Sequence, residues 1–209
     1  DGYYTIAIGE GAKAKGYSNK YNEIYGYGGV DYNANWGYSS IAIGAGANAL
    51  IATPTNTGSN KSYTTNTIAI GYNAKANAAN ALAIGMFAEA DTNSSGSIAI
   101  GTNAKANTTS TGLSIALGTN SKASGQYSIA IGSNETEASG GSSIAIGAGA
   151  KARGSNNIGI GTGACKNVTT GKNKICIGSL GPDNSHSNWQ KDNVERIFIG
   201  GPSKFNEES

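Results

Sequence analysis

The sequence predicts an all-β fold, a β-solenoid in which short strands stack coil upon coil. The first observation is a four-residue phrase, Ile-Ala-Ile-Gly or a close variant, which occurs eleven times in 209 residues. The second is the nearly constant spacing of this phrase along the chain. From its third copy to its ninth, the phrase ends at Gly71, Gly85, Gly101, Gly118, Gly132, Gly147 and Gly161. A fixed period is typical of repeat architectures. The predicted coil is about 14 residues long.

The phrase itself favours a strand over a helix. Isoleucine is branched at Cβ, and its stiff side chain suits a pleated strand. The eleven copies are Ile6–Gly9, Ile41–Gly44, Ile68–Gly71, Leu82–Gly85, Ile98–Gly101, Ile115–Gly118, Ile129–Gly132, Ile144–Gly147, Ile158–Gly161, Ile175–Gly178 and Ile197–Gly200.

A second phrase, in which alanine alternates with charged residues, follows most of the closing glycines. Ala74-Lys-Ala76 and Ala104-Lys-Ala106 are examples. A period of two indicates a strand with one face in water, so we expect these alanines to point inward. Glycine, asparagine and serine between the phrases are typical of turns. Each coil should therefore contain two short strands and two turns.

The sequence leaves two arrangements of the first strand open. In the one we favour, both isoleucines fill the roll and the alanine between them faces another chain, because small uncharged residues allow close contact. The predicted interface residues are then Ala7, Ala42, Ala69, Ala83, Ala99, Ala116, Ala130 and Ala145. In the reverse arrangement the isoleucines contact the other chain. Both arrangements predict an oligomer.

The Ile-Ala-Ile-Gly-x-x-Ala-x-Ala-x-Gly units resemble the head repeats of the YadA-like trimeric autotransporter adhesins of Gram-negative bacteria. The resemblance covers most of the chain, from Ile6 to about Gly178. It implies a left-handed parallel β-roll that assembles as a homotrimer around a three-fold axis. It also implies exposure on the bacterial outer surface and attachment to host cells, extracellular matrix or glycans, with a role in virulence.

The repeat and the breaks in its period also predict how the chain is organised. Residues 1–178 should form the head, with insertions at about 17–38 and 50–66, and residues 179–209 a C-terminal cap or a transition toward a neck and stalk. Heads of this family stand on a coiled-coil stalk above an outer-membrane anchor. The sequence shows neither heptads nor a secretory signal, so we expect membrane contact only through an anchor outside it.

The first insertion is rich in aromatic residues. It contains Tyr17, Tyr21, Tyr25, Tyr27, Tyr32, Trp36 and Tyr38. Tyrosine mixed with glycine, asparagine and serine is typical of adaptable binding loops. One hypothesis is that residues 17–38, helped by 50–66, bind a host protein or glycan. The other is that these aromatic side chains form an N-terminal cap over the open end of the roll.

The two cysteines, Cys165 and Cys176, lie in the C-terminal part of the repeat region. Two cysteines close together in a secreted, loop-rich segment suggest an intrachain disulfide. An interchain disulfide is the alternative, because Cys176 occupies the alanine position of its phrase. A metal site is disfavoured, since the chain has a single histidine and no acidic cluster beside it.

Composition argues against several classes of function. A net charge of +2 with 13% charged residues gives no case for binding nucleic acid. With one histidine and no convincing pair of carboxylates, we find no catalytic constellation, and we expect neither an enzyme nor a cofactor. Two alternatives to an adhesin stay open: the receptor-binding part of a phage-type trimeric tail fibre, and a structural spacer.

Overall fold

The computed structural model describes residues 6–15, 40–50, 66–78, 80–90, 96–108, 112–169, 171–179 and 196–200. Within these ranges the regular structure is entirely β, without a helix. Accordingly, no helix in the described ranges is long and apolar enough to cross a membrane. The nineteen strands of these ranges form two parallel sheets, so the predicted all-β solenoid is confirmed.

The first sheet consists of the eleven Ile-Ala-Ile phrases. Its strands are β1 (Ile6–Ile8), β3 (Ile41–Ile43), β5 (Ile68–Ile70), β7 (Leu82–Ile84), β9 (Ile98–Ile100), β11 (Ser114–Leu117), β13 (Ser128–Ile131), β15 (Ile144–Ile146), β17 (Ile158–Ile160), β18 (Lys174–Ile177) and β19 (Arg196–Ile199). Neighbours in this order are hydrogen-bonded in parallel. Strand β19 belongs to the segment predicted as a C-terminal cap, so that segment contributes a strand to the sheet.

The second sheet consists of the alternating alanine phrases. Its strands are β2 (Lys13–Lys15), β4 (Asn48–Leu50), β6 (Lys75–Ala76), β8 (Glu89–Ala90), β10 (Lys105–Ala106), β12 (Lys122–Ala123), β14 (Glu137–Ala138) and β16 (Lys151–Ala152). Most coils thus contribute one strand to each sheet, as the two phrases predict. Ala76 and Ala106 are fully buried, whereas Lys75 and Lys105 are exposed, which confirms the predicted orientation of these strands.

The coils stack in register, so equivalent residues form columns along the roll. From Ile68, one isoleucine column passes through Leu82, Ile98, Ile115, Ile129, Ile144, Ile158 and Ile175. Some of these steps equal the predicted coil of about 14 residues, and the others are slightly longer. The alanines between the isoleucines are likewise aligned. The left-handed course of the roll stays a prediction.

The turn after each first-sheet strand has one backbone conformation in most of the roll. The residue two positions after the closing glycine has a φ between +52° and +66° in nine coils. These residues are Gly11, Gly46, Asn73, Phe87, Asn103, Asn120, Asn134, Gly149 and Gly163. Glycine and asparagine visit this left-handed region most readily, which explains the choice of residues. Phe87 is the exception.

The interior of the roll is thin and filled by small side chains. Of the 26 buried hydrophobic residues of the described ranges, 22 are alanines, so no room is left for isoleucine between the sheets. The predicted inward isoleucines are therefore wrong, and the reverse arrangement holds. Because strands of two to four residues joined by tight turns bring the sheets close together, only a methyl group fits between them in most coils.

The predicted outward alanine column is wrong for the same reason. Its members from Ala42 onward have no exposed surface and form the core: Ala42, Ala69, Ala83, Ala99, Ala116, Ala130 and Ala145. Ala7 lies on the same side of its strand, since it pairs in register with Ala42, but it is exposed at the end of the sheet. The seven buried alanines cannot contact another chain.

Candidate functional site

An apolar stripe covers the outer face of the first sheet. On every strand of this sheet two side chains point outward, and all of them are isoleucine or leucine. In the middle of the sheet they are half-buried by their neighbours in the column, as Ile100 and Ile131 are. At the ends they are more exposed, with Ile8 at 57% and Ile199 at 73%.

This stripe is a continuous apolar surface that the described coils share. Eleven strands at about 4.8 Å each make it roughly 50 Å long. Monomeric soluble proteins rarely expose continuous apolar patches of that extent, and those that do use them for association. The stripe is therefore a candidate interaction surface, which the favoured sequence interpretation had placed in the core.

The outer face of the second sheet is polar, and its charges are partly paired. The Lys105 ammonium lies 3.5 Å from a Glu89 carboxylate oxygen. Near the other end, the Glu137 carboxylate accepts from Nε of Arg153 at 3.2 Å and lies 3.5 Å from the Lys151 ammonium. The pair between the exposed Lys105 and Glu89 contributes little to stability on its own. This face suits water rather than another apolar surface.

Lys151 and Arg153 also set the ionisation of Glu137. Burial alone would raise the pKa of Glu137, but the charge of Arg153, hydrogen bonds from Ser139 and Arg153, and the charge of Lys151 lower the pKa below its ordinary value of 4.5. Lys151 itself is 7% exposed, and its ammonium donates a hydrogen bond to the backbone carbonyl of Glu135. The arrangement fixes the carboxylate as a charged structural group.

A shallow groove crosses the second-sheet face over three successive coils. Its volume is about 400 Å³, and it is lined by Asn73, Lys75, Phe87, Glu89, Asn103 and Lys105. Beside it the rings of Tyr72 and Phe87 meet edge to face, with centroids 5.4 Å apart and planes at 86°. Sequence reasoning missed this groove. The sequence feature that could have revealed the groove is Phe87. At the equivalent turn position, two residues after the closing glycine, the other described coils have glycine or asparagine.

The structure contains the predicted disulfide. Cys165 and Cys176 are bonded within one chain, with Cα atoms 5.5 Å apart. Cys176 lies in the inner column, where it pairs in register with Gly159 and Phe198. Both cysteines are fully buried, and because they are bonded to each other the interchain alternative is excluded.

The predicted ligand-binding residues cannot be placed. Tyr17, Tyr21, Tyr25, Tyr27, Tyr32, Trp36 and Tyr38 all lie outside the described residues. Most of the second insertion, residues 51–65, lies outside them as well. The two hypotheses for the first insertion, binding and capping, therefore both stay predictions.

Metal-binding groups do not cluster in the described ranges. No three histidine, cysteine, aspartate or glutamate side chains of these ranges come together as they would around a metal ion. The cysteines are joined to each other. The candidate functional features of the described residues are therefore three surfaces: the apolar stripe, the charged face of the second sheet and the groove.

A comparison with known protein families finds a match in the repeat region of the chain. The model of the YadA head domain repeat matches residues 1–18, 65–88, 93–111 and 113–134, where the Ile-Ala-Ile-Gly phrases recur. The matched part of the chain is a YadA-like head domain. No curated protein and no solved structure is significantly similar to it.

The match covers coils whose geometry is described above. Between residues 65 and 134 the matched segments of the YadA-like head domain contain five first-sheet strands: β5, β7, β9, β11 and β13. A continuous part of the apolar stripe belongs to these strands. The groove residues also lie in the matched segments, except Glu89, which falls between two of them. The matched repeats therefore contribute to both candidate surfaces.

Proposed function

We propose that the chain is the head of a trimeric adhesin on the surface of a Gram-negative bacterium, where it attaches to host cells, extracellular matrix or glycans. The observation that carries the proposal is the apolar stripe on a YadA-like head domain. A single chain leaves this stripe in water. Three chains that turn their stripes toward a common axis would bury it and leave the charged second sheets outside.

The energetics favour such an assembly. Burying one exposed isoleucine or leucine side chain stabilises by about 1.5–3 kcal/mol, and each coil brings two partly exposed ones. The interior of one chain, by contrast, consists mostly of alanine methyl groups, each of which contributes much less. We therefore propose that the homotrimer is the stable unit and that binding, not catalysis, is its function.

The assembly is tested by the mass of the protein in solution. One chain has a mass of 21.0 kDa, so multi-angle light scattering of the wild type should give three times this value. Ile100→Asp places a charge in the middle of the stripe and should lower the measured mass to that of a single chain. Lys122→Asp is the matched control, because Lys122 is exposed on the second sheet. A wild type with the mass of one chain would refute the trimer.

Attachment is tested separately, with the purified protein on host epithelial cells and on immobilised matrix proteins. The proposed contact region is residues 17–38, so replacing Tyr25, Tyr27 and Trp36 by alanine should abolish cell binding and leave the melting temperature nearly unchanged. A collapse of the melting temperature would instead assign these residues to a cap. Binding of the wild type to bacterial lipopolysaccharide alone would favour the tail-fibre alternative.

A further inference from the structure

We propose that the groove beside Phe87 is a binding site for an acidic oligosaccharide, a sugar chain that carries a carboxylate or a sulfate. The inference rests on the proposed role of the head as a binding domain and names one ligand class for it. The site lies in the regular coils and is separate from the insertion at 17–38.

The first argument is the backbone of Phe87. Its φ is +56°, a conformation that asparagine and glycine adopt readily and that a bulky side chain adopts only under strain. In the eight other described turns of this kind the residue is asparagine or glycine. Strained residues that persist in an otherwise regular structure point to a functional requirement at that position.

The second argument is the exposure of the ring. Phe87 is 43% exposed and Tyr72 is 52% exposed, so neither ring is buried in the core. They pack on each other edge to face, which holds both in place and leaves ring surface open to the groove. A flat aromatic surface of this kind can cover the apolar C–H face of a sugar ring.

The third argument is the polar lining on either side of the ring. Asn73 and Asn103 precede and follow Phe87 in the same column, about 4.8 Å away along the roll. Their side-chain amides have no hydrogen-bond partner among the described residues and offer both donors and an acceptor. The turns themselves are fixed, since the Phe87 N–H donates to the Tyr72 carbonyl at 2.9 Å and the Asn103 N–H to the Met86 carbonyl at 2.9 Å. Such a row suits the hydroxyl groups of a sugar.

The fourth argument is charge. Glu89 pairs with Lys105 at 3.5 Å, which leaves the exposed Lys75 without an ion pair among the described residues. The groove thus has one cation more than it has anions. A carboxylate or sulfate on the ligand would complement Lys75. Because the groove is open along the roll, an extended chain fits it better than an enclosed small molecule does.

The experiment is saturation-transfer difference NMR of the wild-type chain with lactose, 3′-sialyllactose and a heparin tetrasaccharide. We expect transfer to the ring protons of at least one acidic sugar, and little to lactose. Lys75→Gln should weaken this binding at least threefold. If neither acidic sugar showed transfer, or if lactose bound equally well, the proposal would be overturned. The readout needs no cells, so it is independent of whether the head mediates adhesion.

Phe87→Asn separates a binding role from a packing role. Asparagine is the residue of the neighbouring turns, so the variant should fold with an unchanged or higher melting temperature and lose at least tenfold in sugar affinity. Tyr127→Asn is the matched control: Tyr127 has a φ of +54° and is 57% exposed, but it lies outside the groove. A lower melting temperature or a smaller assembly in Phe87→Asn would assign the ring to contact with a second copy of the chain and overturn the binding role.

Discussion

Gly101 lies directly against Gly118 of the next coil. A Cβ atom added to Gly101 would come 2.6 Å from the carbonyl carbon of Gly118, and the φ of Gly101 is +128°. The same contact recurs along the column of closing glycines, where Gly71 faces Gly85 and Gly85 faces Gly101. Glycine closes each phrase because stacked backbones leave no space for a side chain and because no other residue adopts this φ easily.

Gly101→Ala should therefore destabilise the head. Strained backbone and the clash with Gly118 together should cost at least about 2 kcal/mol, which corresponds to a melting temperature lower by about 4–8 °C. Thermal unfolding followed by circular dichroism measures this change. The control is Gly149→Asn, since the φ of Gly149 is +66° and its nearest contact for a Cβ is an ordinary 3.5 Å. That variant should melt within about 2 °C of the wild type.

Ala116→Leu tests which face of the first strand lies inside. Ala116 has no exposed surface and packs between the two sheets, so a larger side chain should destabilise by about 1–3 kcal/mol or more. Ile115→Leu is the control on the outer face, where Leu82 already occupies the equivalent position and Leu117 lies in the other outward column. Chemical unfolding of both variants gives the comparison. Equal stability of the two would mean that the alanine column faces outward after all.

The period of the phrase predicted the fold, but it could not decide which side of the strand faces inward. Isoleucine and alanine alternate at a period of two, so both faces of the first strand are apolar and no polar residue marks the outer one. In the second strand lysine marks the wet face, and there the orientation was predicted correctly. The choice depends on the distance between the sheets, which is a tertiary property of the whole coil.

The groove could have been found by aligning the turns, but its ligand chemistry could not. Phe87 stands out once the coils are aligned on their closing glycines, because the equivalent residues are glycine or asparagine. That Lys75, Asn73 and Asn103 surround it follows only from the stacking order of the coils. The register of β6, β8 and β10 brings together residues that lie one or two coils apart in the chain.

Glu137→Gln should remove part of the dependence of stability on pH. Because the folded state lowers the pKa of Glu137, its contribution is present above the ordinary value of 4.5 and is lost as the pH falls through the lowered value. The difference in melting temperature between wild type and variant should therefore be largest near neutral pH and shrink below pH 4.5. Glu135→Gln is the control, since the exposed Glu135 forms no ion pair in the described ranges. A difference that does not change with pH would contradict the assignment.

Removal of the disulfide should loosen the C-terminal coils. The bond between Cys165 and Cys176 joins residues with a sequence separation of 11, and closing so short a loop stabilises by about 3 kcal/mol in the chain-entropy model. The double variant Cys165→Ala and Cys176→Ala keeps small side chains in the thin interior and isolates the loss of the crosslink. We expect hydrogen exchange of the β17 and β18 amides to accelerate by up to about a hundredfold, in line with that free energy.

Amides of β7 and β9, several coils away from the disulfide, provide the internal control for this experiment. Because each coil contacts mainly its neighbours, these amides should exchange at nearly the wild-type rate in the double variant. The crosslink would then act locally, on the coils that it joins. Equal acceleration throughout the roll would show instead that the head unfolds as one cooperative unit.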